Sequence, residues 1–283
     1  MAEKEFHEIQ CFRLNQDDVL PVEAVTALNQ DGVVCVRDAI NQYWRSRIEV
    51  GIKQALNGAS TNVDIVEPKN KGEGAFSFSS GAWRDVADFR DYIFDSPLAD
   101  IAHTLLETNS LILFYDFLLI KEARSASAAT PWHQDHSYYP IDGYKVVNSW
   151  VALDDIPLES ALRFIQGSHQ DGMLYRGVDF ADPAKDYRHA RKQLPLPPSN
   201  DTEVPSNILC SAMNAGDMLV WKSYTFHSAP GNQLDRRRAA FSINWLGDDV
   251  VFNGEPSLET YKDPSQVVGQ PITCDKFPLV RGH

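Results

Sequence analysis

Leu111-Ile-Leu-Phe-Tyr-Asp-Phe-Leu-Leu-Ile-Lys121 is the stretch whose reading decides the fold. It is dense in aliphatic and aromatic side chains, as a buried strand is. Asp116 interrupts it, and it is too short to cross a bilayer. The sequence changes character at this point. Upstream, Val22 to Leu28 and Trp44 to Leu56 carry apolar residues at helical spacing, separated by a strand-like run, Val33 to Val36. Gly58 to Gly81 is rich in Gly, Asn and Ser and reads as a long loop. Asp85 to Ile93 reads as helix, and Ser96-Pro97 as a cap and first turn opening a helix to Leu106. Downstream, Val146 to Leu153, Leu162 to Ile165, Asn207 to Ser211, Met218 to Trp221 and Ala239 to Leu246 read as short strands divided by Gly, Pro, Asn and Asp. Helices first and strands later predict an α+β unit, a β-sandwich or small barrel with the N-terminal helices packed on one face. The expected division is a mainly helical part over 1–108, a β core over 109–250 and a C-terminal tail over 251–283, all one domain. Gln170 to Pro205 is polar and proline-rich, and a connection of that length inside a domain is expected to be a lid or functional insertion.

Composition narrows the partners. The chain has 283 residues, 43% hydrophobic and 23% charged, with a formal net charge of −13. An acidic surface repels phosphate backbones and anionic lipid, which disfavours nucleic acid and membranes as partners. A small molecule is the expected partner, and a homodimer is left open. The four cysteines, Cys11, Cys35, Cys210 and Cys274, show no paired spacing and read as reduced thiols. The first residues have no apolar run of the secretory kind. A cytoplasmic protein is expected.

The chemistry lies in Thr130-Pro-Trp-His-Gln-Asp-His136. On an extended strand, residues two apart share a face, so His133 and Asp135 can bind one ion together. Two imidazoles and a carboxylate form the facial triad of non-haem Fe(II) oxygenases, which leaves three adjacent positions for a 2-oxo acid and dioxygen. His169-Gln-Asp171 repeats the tripeptide, but it stands between Gly167-Ser168 and Gly172 and reads as a turn. The third ligand is expected from a later strand, and His227 stands just past the apolar run ending at Trp221. His7 and His283 are near the termini, His103 is on a helix and His189 is in the polar loop. A lone histidine is more often structural than a ligand. Here three candidate ligands occur with a candidate anion anchor. The distal carboxylate of 2-oxoglutarate needs a planar, two-pronged donor. Arg236-Arg237-Arg238 supplies candidates, with Arg236 and Arg238 on one strand face and Arg237 on the other. A solvated basic turn accounts for at least one of them.

With these residues in place, the sequence resembles the phytanoyl-CoA dioxygenase family from about Asp31 to Asp248. The resemblance rests on Asp31-Gly-Val-Val34, Pro131-Trp-His-Gln-Asp135, Trp150-Val-Ala-Leu153, Gly167-Ser-His169, and His227 followed by Arg238 and Ser242. It implies a double-stranded β-helix, the jelly-roll or cupin-like core. It implies Fe(II) on His133, Asp135 and His227, with 2-oxoglutarate and O2 as cosubstrates. It further implies that Arg238 pairs with the 2-oxoglutarate carboxylate and that Trp150, Phe117 and Ser242 line the cosubstrate site. It assigns His169 to a Gly-Ser-His element outside the metal site. Three positions depart from the family pattern: Ala229 for a serine that touches cosubstrate, Ser160 for a glycine and Gln166 for a proline. Related halogenases replace the carboxylate with alanine or glycine, so Asp135 implies oxygenation. Hydroxylation of an unactivated C–H bond leads the expected outcomes, with desaturation, epoxidation, ring closure and demethylation also within the family's range.

The substrate pocket is expected from aromatic residues near the motif: Phe76, Phe78, Trp83, Tyr115, His136, Tyr138 and Trp221. Such a mouth favours a hydrophobic or mixed small molecule from secondary metabolism. A coenzyme A thioester would call for a basic patch, for which Lys69, Lys71, Arg124 and Lys145 are candidates. Two rival readings are a divalent-metal hydrolase and an inactive binding protein on the same barrel.

Overall fold

The computed structural model describes residues 6–68, 70–126, 128–180, 182, 184–199 and 202–282; Lys69 and His283 lie outside them. In chain order the elements are β1 (Phe6–His7), β2 (Cys11–Phe12), α1 (Val22–Asp31), β3 (Val33–Val36), α2 (Gln42–Gln54), β4 (Val63–Val66), β5 (Phe76–Ser80), α3 (Ala87–Asp95) and α4 (Leu98–Leu106). There follow β6 (Ser110–Lys121), β7 (Thr130–His133), β8 (Ile141–Asp142), β9 (Val146–Ala152), β10 (Arg163–Ile165), β11 (Ile208–Cys210) and β12 (Met218–Lys222). The last are β13 (His227–Ala229), β14 (Arg238–Leu246), β15 (Val251–Phe252) and β16 (Leu279–Gly282).

Local chemistry sets the helix ends. Asn41 caps α2 by accepting from Trp44 N at 3.2 Å. Ser96 is extended, and its Oγ accepts from Leu98 N at the start of α4. Gly32 ends α1 at φ +84°, where a Cβ would meet Thr225 Oγ1 at 2.5 Å and His169 Nδ1 at 2.6 Å.

Two sheets face each other. The larger runs β2-β3-β12-β9-β14-β6-β5-β4, with β16 also pairing β6, and the smaller runs β1-β11-β10-β13-β7. Alternation along β14 divides the core. Ala239, Phe241, Ile243 and Trp245 pack outward under α1–α4. Arg238, Ala240, Ser242, Asn244 and Leu246 take the inner face. Between the sheets, Trp150, Leu219 and Trp221 of the larger meet Phe164 and Leu209 of the smaller. The architecture is an α+β jelly roll with helices on one face of the large sheet, as expected from the sequence.

The reading of Gly58 to Gly81 as a loop is corrected. β4 and β5 form an antiparallel pair that extends the large sheet beside β6. Phe76-Ser-Phe-Ser-Ser80 alternates apolar and polar, but the buried positions are Ser77 and Ser79, on the helix side of the sheet opposite Ile120 and Leu118. Buried serine hid a strand pattern. The N-terminal part thus supplies strands as well as helices, and β16 returns from the C-terminal tail to pair with β6.

Candidate metal centre

His133 and His227 are direct cross-strand partners, one on β7 and one on β13, with ring centroids 4.1 Å apart. β7 ends at His133. Gln134 remains extended, so alternation carries one step further and returns Asp135 to the same side. Asp135–Tyr138 then forms a short 3-10 turn. Asp135 Oδ1 lies 3.4 Å from His133 Nε2 and 3.6 Å from His227 Nε2. One ligand atom from each residue falls within 4.8 Å of the others, and all three residues are buried.

The surroundings prepare this trio. His133 Nδ1 lies 2.9 Å from Pro131 O, and His227 Nδ1 lies 3.0 Å from Thr225 O. In each case the ring hydrogen-bonds the carbonyl two residues back. A proton held at Nδ1 leaves the Nε2 lone pair for a metal. Asp135 Oδ2 accepts from Trp221 Nε1 at 2.9 Å, which leaves Oδ1 for coordination. Burial works to raise the Asp135 pKa, but His227, His133 and the Trp221 bond hold it at about 2. Burial, then His133, lowers His227 to about 4. At neutral pH Asp135 is therefore an anion and His227 a neutral imidazole, states that accept a divalent cation without proton release. The donor set fits Fe(II).

The three arginines separate. Arg236 is exposed and donates to Asp155 O. Arg237 pairs with Glu49 and Asp154. Arg238 is buried on the inner face, donating to Ser160 O and, at 3.2 Å, to Pro230 O. Among the described residues no carboxylate pairs with it, and burial lowers its pKa to about 10. Its strand continues through Ser242, which stands opposite Phe117 on β6 and Trp150 on β9. Ser242 Oγ is bonded to Asn148 Oδ1.

His169 lies elsewhere. Its Nε2 is 3.0 Å from Asn29 O at the end of α1, and it packs over Gly32. Gln166 also serves this junction, donating to buried Asp31 at 2.8 Å. Ser160 supplies its carbonyl to Arg238.

The expected pocket residues divide. Phe76, Phe78, Phe117 and Tyr115 form a continuous aromatic run, with successive centroids 5.5, 5.7 and 6.4 Å apart. Tyr138 lies 5.9 Å from the His133 ring. Three residues are placed differently. Trp83 belongs to the helix-side core beside Phe94. His136, beyond the end of the strand, stacks on Tyr224 and bonds Ser223 Oγ. Trp221 is 2% exposed and acts on Asp135. The sequence reading missed Phe180, whose ring lies 4.6 Å from His133 although the residue is 45% exposed. It belongs to the long polar connection, and Tyr138 OH holds this segment through both Val178 O and Val178 N. Tyr139, whose OH joins Tyr115 OH to Asn244 Oδ1, was also missed. Neither residue has periodicity that marks it out.

The fold and this site define a non-haem iron oxygenase class. The phytanoyl-CoA dioxygenase (PhyH) profile matches residues 28–240, and the chain belongs to that family of iron and 2-oxoglutarate-dependent enzymes. A phytanoyl-CoA dioxygenase of Arabidopsis thaliana is 21% identical over 57% of this chain, which spans 53% of that relative's length. The dioxygenase olcK of Penicillium canescens is 26% identical over 76% of this chain and 67% of its own. Among solved structures, the non-haem α-ketoglutarate-dependent carbocyclase SnoK from nogalamycin biosynthesis superposes with a TM-score of 0.70 at 19% identity, covering 92% of this chain and 96% of that one.

Proposed function

We propose that this chain folds as one domain and is an Fe(II)/2-oxoglutarate dioxygenase that oxidises an unactivated C–H bond of a free, largely hydrophobic small molecule, releasing succinate and CO2. The observation that carries the proposal is the buried His133-Asp135-His227 trio on the same jelly roll as a buried Arg238 that has no carboxylate partner among the described residues. Iron with 2-oxoglutarate supplies the oxidising power. The protein positions and desolvates. Pro131 and Thr225 carbonyls fix the imidazoles, Trp221 holds Asp135, and Arg238 takes the distal carboxylate. Ser242, Phe117 and Trp150 flank the cosubstrate, and Phe78, Tyr115 and Tyr138 bound the substrate. Hydroxylation is the leading outcome.

A free molecule is favoured over a thioester because two of the four cations named for a phosphate patch, Arg124 and Lys145, are engaged by carboxylates. Arg124 pairs with Asp235 at 2.6 Å and Lys145 with Asp248 at 2.7 Å. The likeness to an enzyme of nogalamycin biosynthesis supports a secondary-metabolic substrate. Free thiols at Cys11 and Cys35, which stand in register on β2 and β3, support a reducing, cytoplasmic compartment.

The test is succinate release from 2-oxoglutarate across a panel of free acids, terpenoids and their thioesters. Release requires Fe(II), disappears in His133→Ala and Asp135→Ala, and persists in His169→Ala. Turnover with Zn(II) and no 2-oxoglutarate, or loss only in His169→Ala, overturns the reading.

A further inference from the structure

Lys121 ends β6 directly opposite Arg238 of β14 and Phe76 of β5. Alternation puts it on the face of β6 that carries Leu119 and Phe117. Its Nζ lies 5.6 Å from the centre of the Phe76 ring and 3.5 Å from Pro230 O. Arg238 donates to the same carbonyl at 3.2 Å. Two cations therefore converge on one neutral acceptor. Both residues are 4% exposed, and among the described residues no carboxylate pairs with either.

This arrangement is unusual for the chain. It has 39 acidic and 26 basic residues, so anionic partners are plentiful. Arg37, Arg47, Arg237 and Arg281 all have one. A buried charge without a counter-ion is costly, and two adjacent like charges add repulsion. Burial, and then Arg238, drives the Lys121 pKa well below its ordinary value. A carbonyl oxygen offsets part of this at most. An incoming anion would relieve both penalties together.

We propose that Lys121 is a second cationic anchor for the distal carboxylate of 2-oxoglutarate, clamping it with Arg238. The inference rests on the cosubstrate reading given above and deepens it. One carboxylate presents two oxygens. The Arg238 guanidinium has several planar donors and the Lys121 ammonium is a compact one, so the pair can address both oxygens. Lys121 is then a cosubstrate-binding residue whose position is set by strand register.

The test compares two ligands on the Fe(II)-loaded protein without oxygen, by calorimetry: 2-oxoglutarate, and 2-oxopentanoate, which has a methyl group in place of the distal carboxylate. Lys121→Met keeps the length of the side chain and removes the charge. It should weaken 2-oxoglutarate about 10- to 100-fold, the range for a hydrogen bond to a charged group, and leave 2-oxopentanoate unchanged. The ligand-free variant should melt a few degrees higher, because an uncompensated buried charge is gone. Unchanged 2-oxoglutarate binding overturns the inference, as does equal weakening of both ligands. A fall in melting temperature without a ligand-specific loss assigns Lys121 to structure and also overturns it. Arg238→Met separates the two levels. If it weakens 2-oxoglutarate while Lys121→Met does not, only the role of Lys121 fails; if neither does, the placement of the cosubstrate fails.

Discussion

Trp221→Phe tests how the metal site is held. The substitution removes the indole N–H that donates to Asp135 Oδ2 at 2.9 Å. It leaves an aromatic ring beside His227, whose centroid lies 5.0 Å from that of Trp221. A hydrogen bond to a buried charged group contributes about 1.5–3 kcal/mol. The bond is present without metal, so part of that loss appears as lower stability of the apo-protein. The rest falls on the metal, because a carboxylate free to rotate no longer presents Oδ1 alone. Outer partners of metal ligands alter affinity by about 10- to 100-fold. Trp245→Phe is the matched control. Trp245 is equally buried and its Nε1 donates to Ser149 Oγ at 3.1 Å, but on the helix side of the sheet. Anaerobic calorimetry with Fe(II), alongside apo-protein melting, reads both effects. Both variants should lose stability, and Trp221→Phe alone should bind metal at least about 10-fold more weakly. Metal affinity within about threefold of wild type, or an equal loss in Trp245→Phe, refutes the reasoning.

Asp116 gives a pH prediction. Its carboxylate is fully buried and accepts from Gly81 N at 2.6 Å and Trp83 N at 3.0 Å, yet burial pushes its pKa up to about 6. A raised pKa means the fold retains a proton that the unfolded chain has released. Stability from this group is therefore present at low pH and declines between about pH 4 and 6, by on the order of 3 kcal/mol. Asp116→Asn should flatten that slope in denaturant unfolding measured across the window, and a slope equal to wild type would sink the assignment. Tyr138→Phe removes both bonds that tie Val178 to the barrel, a loss of about 1–2 kcal/mol. Limited proteolysis should then cut faster within residues 174–199, and substrate KM should rise more than kcat falls; unchanged cleavage would refute the tie.

Much of the fold was legible because the code is local. β6, β9 and β14 are runs of branched and aromatic residues bounded by breakers, and β-propensity marks such runs wherever they pack. β5 was not legible, since Ser77 and Ser79 are buried where the pattern expects apolar residues. The strand argument for His133 and Asp135 worked because Gln134 is extended. Alternation ends there, and His136 lies on the turn that follows, turned away from the metal ligands onto Tyr224. Helix and strand periods apply only while the backbone keeps one conformation, and no signal in the motif marks the residue at which β7 ends.

The functional residues divide along the same line. The two histidines use a local device, a ring bonded to the carbonyl two residues back, so Pro131-x-His133 and Thr225-x-His227 carry their own positioning within three residues. Their joint meaning still required β7 and β13 to pair in register. The remaining contacts are wholly long-range. Trp221 reaches Asp135 across 86 residues of sequence. Lys121 is, in sequence, only the polar end of an apolar strand. It becomes a charge in need of a partner once β6 and β14 align it with Arg238. Local pattern thus identifies groups capable of binding a metal, whereas register determines which charges are left uncompensated beside it. Those uncompensated charges carry the strongest information about ligand, because folding alone gives no reason to bury two cations side by side in an acidic chain.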